Sequence, residues 1–520
     1  MQRSGALGRA PIFWRVLQSG GAALVLLGLT SCGSATSRNS GPPSPTPPAA
    51  LTVTPSSAVL YAGMTATFSA KLPDGSAANV IWSLATEGGS NYPPGLITSA
   101  GAYQAPSPVL NTLSISVQAA LVSDTSTKAG ASITLNPLPN QEAQAVPIAA
   151  GTSVSNAING GQCCAGTAGA IVSDESGKLY LLSNSHVIAR SGEAAAGEQI
   201  LQPGNLDTLC TGQGQTPVAS LSYAPPLMSS NVDAAIAAGV PAALRSDGAI
   251  ISLGSPDTSG NPTLGPPAQT TMTAAVGESV AKSGRGSGLT CGSITAIETT
   301  ITVNFPASCG ATQAQSVSFQ NQIVLSAGLV KDGDSGSLVV DQSTARPIGI
   351  VAGLSGDGSY ATVNPIADVL SALDTGTTHK FNIVGGAEHR VPCGSTSAQV
   401  VQPSATLDQD RGSLLRNAKR SFESMHNANP HILAIGLGRE QNSPNTGPDA
   451  IVVFVDSQDE SNRLEGYVQG FQVRKIVTRL FTVPSSMLQS CKSLPRRATH
   501  QPARSVSDVS PGLANAIEMQ

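Results

Sequence analysis

Along most of this chain the apolar residues come in short runs in which every second side chain is hydrophobic, and glycine or proline closes each run. Leu51-Thr52-Val53-Thr54-Pro55, Thr65-Ala66-Thr67-Phe68-Ser69-Ala70 and Val80-Ile81-Trp82-Ser83-Leu84 follow this rule, as do Leu113 to Val117 and Ala131 to Leu135. A period of two predicts strands with one buried face. Pro73-Asp74-Gly75 is typical of the turns between them. Further on, Ala168 to Val172, Leu179 to Ser183, Ser316 to Phe319 and Ile323 to Leu325 read the same way, and only Ile366 to Leu373 has helical spacing among them. After Cys393 the period changes. Leu414, Leu415, Ala418, Phe422 and Met425 fall on one face of a helix, and apolar runs at 432–437, 450–455 and 473–477 follow it.

These patterns divide the chain. Residues 51–137 carry several strands and a Trp in the third of them, which predicts an immunoglobulin-like sandwich. This segment resembles bacterial Ig-like domains, including Gly95-Leu96-Ile97-Thr98 and Gly101-Ala102-Tyr103-Gln104-Ala105-Pro106. It holds no catalytic cluster and reads as a spacer. Residues 148–390 form a larger all-β region, which fits a barrel or sandwich core within one domain. Residues 403–483 form a small α+β unit. Pro137 to Pro147 reads as a linker, and 484–520 as a mobile tail. The expected class is mainly β.

The first fifty residues have another character. Arg3, Arg9 and Arg15 precede the apolar run Ala22 to Leu29, which is too short to span a bilayer and reads as a signal segment. Leu29-Thr30-Ser31-Cys32 resembles the bacterial lipobox and implies a signal of 1–32 with acylation at Cys32. Multiple acyl chains would anchor the protein stably. Residues 33–50 are rich in Ser and Pro and read as a tether. Gly33 stands where Asp commonly signals inner-membrane retention, so an outer-membrane location is expected where the source has one.

Composition narrows the function. The 520 residues carry 28 basic and 32 acidic side chains, a net charge of −4, with no basic field suited to nucleic acid. Seven cysteines follow Cys32, and export permits disulfides. Cys291 and Cys309 flank an expected hairpin and form the favoured pair; Cys163 or Cys164 with Cys210 comes second. The cysteines lack zinc spacing, and Asp332 with Asp334 lacks the further ligands calcium needs, so neither metal nor cofactor is expected.

The chemistry lies in three places. Lys331-Asp332-Gly333-Asp334-Ser335-Gly336-Ser337 sets a serine in a glycine-rich turn before the apolar run Leu338 to Val340. Ser183-Asn184-Ser185-His186-Val187 ends an apolar run in histidine, and Asn231-Val232-Asp233-Ala234-Ala235-Ile236 sets an aspartate in another. A serine hydroxyl needs a base, a carboxylate to orient that base, and N–H groups at the developing oxyanion. His, Asp, Ser is one of the known chain orders of such a triad. Asp207 is a rival for the carboxylate.

These contexts resemble the trypsin/chymotrypsin-like serine proteases. The stretch from Cys164-Ala165-Gly166-Thr167 through His186 to Gln202-Pro203-Gly204 is similar to a bacterial and plant branch that includes the plant narrow-leaf type. The resemblance covers about half of the chain and implies two six-stranded barrels with the site between them. It implies His186 as general base, Asp233 as its partner, Ser335 as nucleophile, and Gly333 and Ser335 as oxyanion donors. It places Leu329 at the floor of the primary pocket, which implies non-tryptic specificity, and Val351-Ala352-Gly353 on the strand that pairs with a peptide or protein substrate. The usual disulfide beside the histidine is missing. Ile383-Val384-Gly385-Gly386 lies after Ser335, so an activating new terminus there is not expected. The alternative is a surface binding or adhesion protein on an inactive protease fold; hydrolysis of a non-peptide ester is a third reading.

Overall fold

The computed structural model describes residues 51–89, 92–255, 263–393, 409–440 and 447–483. The signal segment, Cys32, the tether, Cys491 and the tail from 484 lie outside the described residues.

The architecture is mainly β. In the N-terminal region, Ser57–Tyr61 runs parallel to Lys128–Asn136, which pairs with Leu113–Leu121 and through it with Val80–Thr86. A smaller sheet joins Thr65–Thr67, Ala102–Gln104 and Leu96–Ile97. Alternation decides what is buried: Ile115, Val117, Ile133 and Leu135 point inward beside Phe68 and Tyr103, whose rings meet edge to face.

The next region contains two strand assemblies. In the first, β1 (Ser153–Asn156), β2 (Ala170–Ser173), β3 (Leu179–Ser183), β4 (Gln199–Gln202), β5 (Thr216–Tyr223) and β6 (Ala235–Gly239) pair in the order β1-β4-β5-β6-β3-β2. Gly166–Thr167 extends the β1 side and nearly meets β2 in the chain, so the sheet curls back on itself. In the second, β7 (Ser279–Gly284), β8 (Gly288–Phe305), β9 (Gln315–Leu325), β10 (Leu338–Asp341), β11 (Pro347–Ser355) and β12 (Ala361–Pro365) form a closed ring. Its order is β7-β10-β11-β12-β9-β8, with β8 returning to β7. Helix α1 (Ile366–Thr377) follows and buries Ile366, Val369 and Leu373.

The C-terminal region continues the second sheet. Helix α2 (Gln409–Met425) packs Leu415, Ala418 and Phe422 against β13 (Ile432–Arg439), β14 (Asp449–Val455) and β15 (Phe471–Val477). β13 pairs with β8 at Ile297 and Thr300, so these strands and the second ring share hydrogen bonds. A last short strand, β16 (Phe481–Thr482), pairs with both β8 and β11.

The linker is packed rather than extended. Asn140 and Gln141 are buried. Asn140 Nδ2 donates to Gly151 O at 2.6 Å. Gln141 Nε2 donates both to Ser107 Oγ and to Arg285 O at 3.0 Å, bridging the N-terminal region and the second ring. Lys331 Nζ donates to Gly63 O at 2.7 Å.

The disulfides are Cys163–Cys210, Cys164–Cys309 and Cys291–Cys393. The expected Cys291–Cys309 pair does not form. Cys291 lies near one end of β8 and Cys309 beyond the other, eighteen positions apart along an extended strand, roughly 60 Å at full extension. Cys163, not Cys164, pairs with Cys210.

Candidate active site

His186 lies in the single helical turn Ser185–Ile188 that follows β3. Its ring Nδ1 is 2.5 Å from Asp233 Oδ2, and its backbone N–H donates to Asp233 Oδ1 at 3.1 Å. Asp233 is fully buried just before β6. The Asn184 amide donates to the Asp233 carbonyl at 2.7 Å. The Asp233 N–H donates to Asn364 Oδ1 at 2.9 Å, and the Asn364 amide donates to Gln322 Oε1 at 2.6 Å. The Asp233 backbone is thus held from both assemblies, while its carboxylate faces His186. Asp207 is engaged elsewhere: it accepts Ser153 Oγ at 2.5 Å and two bonds from Arg285, at 2.7 and 2.9 Å. The structure therefore brings Asp233, not Asp207, to the histidine.

Ser335 is buried at the turn between Val330 and β10. Gly333 (φ +92°) and Gly336 (φ +91°) hold left-handed backbone that favours glycine. A Cβ on Gly336 would stand 2.4 Å from Ser183 Oγ, so the turn packs directly against the end of β3 that leads into His186. Thr167 ties the turn back: its N–H donates to Ser335 O and its hydroxyl to Gly333 O, both at 2.8 Å. The amides of Asp334 and Gly336 are used, by Lys331 O and Val351 O. Those of Gly333 and Ser335 donate to no partner among the described residues. Ser335 Oγ and His186 Nε2 are also closed from solvent and unbonded among the described residues. The ring of Phe305 meets the His186 ring edge on, with centroids 6.2 Å apart.

Asp334 anchors the turn from below. Its Oδ1 accepts the N–H groups of Gly286 and Ser287, and its Oδ2 accepts the Lys331 N–H and Ser287 Oγ. The Lys282 ammonium is 2.8 Å away, and both side chains are wholly buried. Burial pulls Lys282 below the ordinary lysine pKa, against the opposing pull of the Asp334 carboxylate. Lys282 also donates to Ser287 Oγ and Gly288 O. Burial works against the charge of Arg285 too, but the carboxylates of Asp207, Asp334 and Asp332 hold it above its usual pKa.

Leu329 is buried in the core of the second ring with Val280, Ile294 and Val351. The side chain expected at a pocket floor thus packs inward, and a cavity of about 530 Å³ beside it is lined by Val330, Lys331 and Asp332, with Gly63 and Gln104 from the N-terminal region. Burial raises the Asp332 pKa. Val351, Ala352 and Gly353 lie on β11 and are buried. Sequence reasoning missed Lys282, Arg285, Thr167, Asn364 and Phe305. Only Lys282 left a signal, a lone charge inside the strand Ser279–Gly284, every residue of which is buried.

No family model matches this sequence, and no curated protein matches it. Solved structures of bacterial serine proteases match less than half of it. A glutamic acid-specific serine protease is 18% identical, covering 45% of this chain and 100% of its own, with a TM-score of 0.31. A Nocardiopsis protease is 18% identical, covering 45% and 98%, with a TM-score of 0.31. Thermobifida fusca protease A is 17% identical, covering 46% and 99%, with a TM-score of 0.30. At these values the likeness identifies no family, and the reading of the site rests on its own geometry.

Proposed function

We propose that this protein is an exported serine endopeptidase of trypsin-like fold, with Ser335, His186 and Asp233 as its catalytic residues. The observation that carries the reading is the paired contact of Asp233 with the ring and backbone of His186, next to a turn whose Gly333 and Ser335 amides are free. Ser335 Oγ would attack a peptide carbonyl and pass its proton to His186 Nε2. Asp233 would hold the Nδ1 proton and stabilise the imidazolium. The Gly333 and Ser335 amides would donate hydrogen bonds to the developing oxyanion, and His186 would return the proton to the leaving amine. Water then hydrolyses the acyl-enzyme by the same steps. Bonds between a catalytic serine and histidine often tighten only with substrate bound, so an Oγ and Nε2 unbonded among the described residues are compatible with these roles.

Closure of those two atoms from solvent also favours a second reading, a binding module on an inactive protease fold. Fluorophosphonate labelling separates the two. Wild type should label and Ser335→Ala should not, and peptide hydrolysis should fall by roughly four to six orders of magnitude. Equal labelling of both forms refutes the nucleophile.

The proposal extends to location: acylation at Cys32 would hold the enzyme at the cell envelope, in the outer membrane where one exists. Cys32→Ser should then move the protein from the membrane to the soluble fraction. An unmodified wild-type terminus by mass spectrometry refutes the anchor.

A further inference from the structure

β11 runs past the nucleophile with its two edges used differently. On one edge β12 accompanies it from Gly349 to Leu354. On the other, β10 accompanies it only as far as the turn, where Gly336 N–H donates to Val351 O at 2.9 Å and Val351 N–H to Ser337 O at 3.0 Å. There the chain leaves β11 to form the Ser335 turn. The edge resumes three residues on, roughly 10 Å from Val351. Such an edge beside a nucleophile is where an extended peptide adds as a further strand, through main-chain hydrogen bonds.

That edge is already filled from Leu354 onward. β16 lies antiparallel on it, with Thr482 opposite Leu354 and Phe481 opposite Ser355. Gly356 N–H donates to Leu480 O at 3.1 Å. A Cβ on Gly353 would stand 3.2 Å from Thr482 O, so the segment reaches the last of the three residues expected to hold substrate. On its far side β16 pairs with Val303 and Asn304 of β8, and Val483 N–H donates to Asn304 O at 2.9 Å. Phe481 and Val483 are buried in one cluster with Phe305, the residue whose ring meets His186. The segment therefore runs along the substrate edge toward the histidine.

We propose that Leu480–Val483 is an autoinhibitory strand, which holds the substrate edge of β11 until it is displaced. This rests on the serine-protease reading above. The occupant is short. Two residues pair on each side and Leu480 is exposed, so the strand is held by a few main-chain bonds, the Thr482 hydroxyl's bond to Asn304 O at 3.1 Å and the seat of Phe481. The C-terminal sheet delivers it, since β15 ends at Val477, four residues before β16 begins.

The test uses the full chain with Thr482→Pro, which has no N–H to give to a ladder, and Thr482→Ser, which keeps both the N–H and the hydroxyl that donates to Asn304 O. Fluorophosphonate labelling and hydrolysis of an extended peptide library are followed beside hydrogen exchange at Leu354 and Gly356, the amides on the β16 side of the strand. Thr482→Pro should expose these amides to exchange and raise both rates by roughly tenfold or more, the equivalent of about 1.4 kcal/mol. Thr482→Ser should match wild type. Circular dichroism and melting of both variants identify any general unfolding, and labelling that rises only with unfolding overturns the proposal. Equal labelling and hydrolysis in all three forms, with Ser335 labelled, sinks the seal and leaves the protease reading intact. Labelling in none of them sinks the protease reading and the seal with it.

Discussion

Replacing Lys282 with methionine removes one charge from an ion pair that is wholly buried and leaves Asp334 behind. At 2.8 Å the attraction is about 6 kcal/mol with an effective dielectric near 20, and it is largely offset by the cost of desolvating both groups. The loss of one partner is therefore more informative than the pair's net value. A buried carboxylate stripped of its cation typically costs about 3–5 kcal/mol. Asp334 would keep its bonds from Gly286, Ser287 and Lys331. The low end, about 3 kcal/mol, is the expected loss. Because Asp334 adjoins both Gly333 and Ser335, the same change should slow fluorophosphonate labelling, by less than the roughly 10²–10³ that outright loss of an oxyanion donor costs. Urea unfolding gives the first quantity and labelling kinetics the second. Asp334→Asn in the Lys282→Met background removes the stranded charge and should return part of the stability, so the cycle reports coupling between the two positions. A Lys282→Met protein that loses under about 1 kcal/mol and labels at the wild-type rate would refute the reasoning.

Asp233→Asn should abolish labelling while Asp207→Ala retains it and lowers stability, because only Asp233 touches His186; comparable labelling losses in both would reopen the assignment. Burial pushes the Glu278 carboxyl up to about 7 from an ordinary 4.5. The folded state then holds the proton more tightly than the unfolded one, so stability is fully present below about pH 4.5 and declines as pH rises through 7, by about 3 kcal/mol in all. Glu278→Gln should flatten that slope in unfolding titrations, and an unchanged slope counts against it.

The elements were legible wherever alternation was strict. Ile115, Val117, Ile133 and Leu135 declare their sheet by period alone, and Leu415, Ala418 and Phe422 declare their helix. The three sequence contexts around His186, Asp233 and Ser335 were visible because each sets a polar group against an apolar run. Asp207 could be separated from Asp233 only in space, since its partner Arg285 is 78 positions away. The Lys282–Asp334 pair was hidden for the same reason. Disulfide pairing also eluded sequence reading: flanking a hairpin places two cysteines near each other only if the strand between them folds back, and β8 instead runs on for eighteen residues. β16 has two residues, too few for any period, so the occupant of the β11 edge left no trace in the pattern.

The chain crosses between its two assemblies more than once, and this sets an order on folding. Asn382–Ile383, which comes after the second ring and α1, pairs with β2 of the first assembly. That outer edge stays unpaired until more than two hundred further residues exist. Cys164 waits similarly for Cys309, and Cys291 for Cys393. The first assembly therefore cannot mature as an independent unit while the chain emerges. Its open edge is a site for mispairing between molecules, and its closure is governed by contacts of high sequence separation, which form slowly. A chain built this way gains from being held unfolded until it is whole.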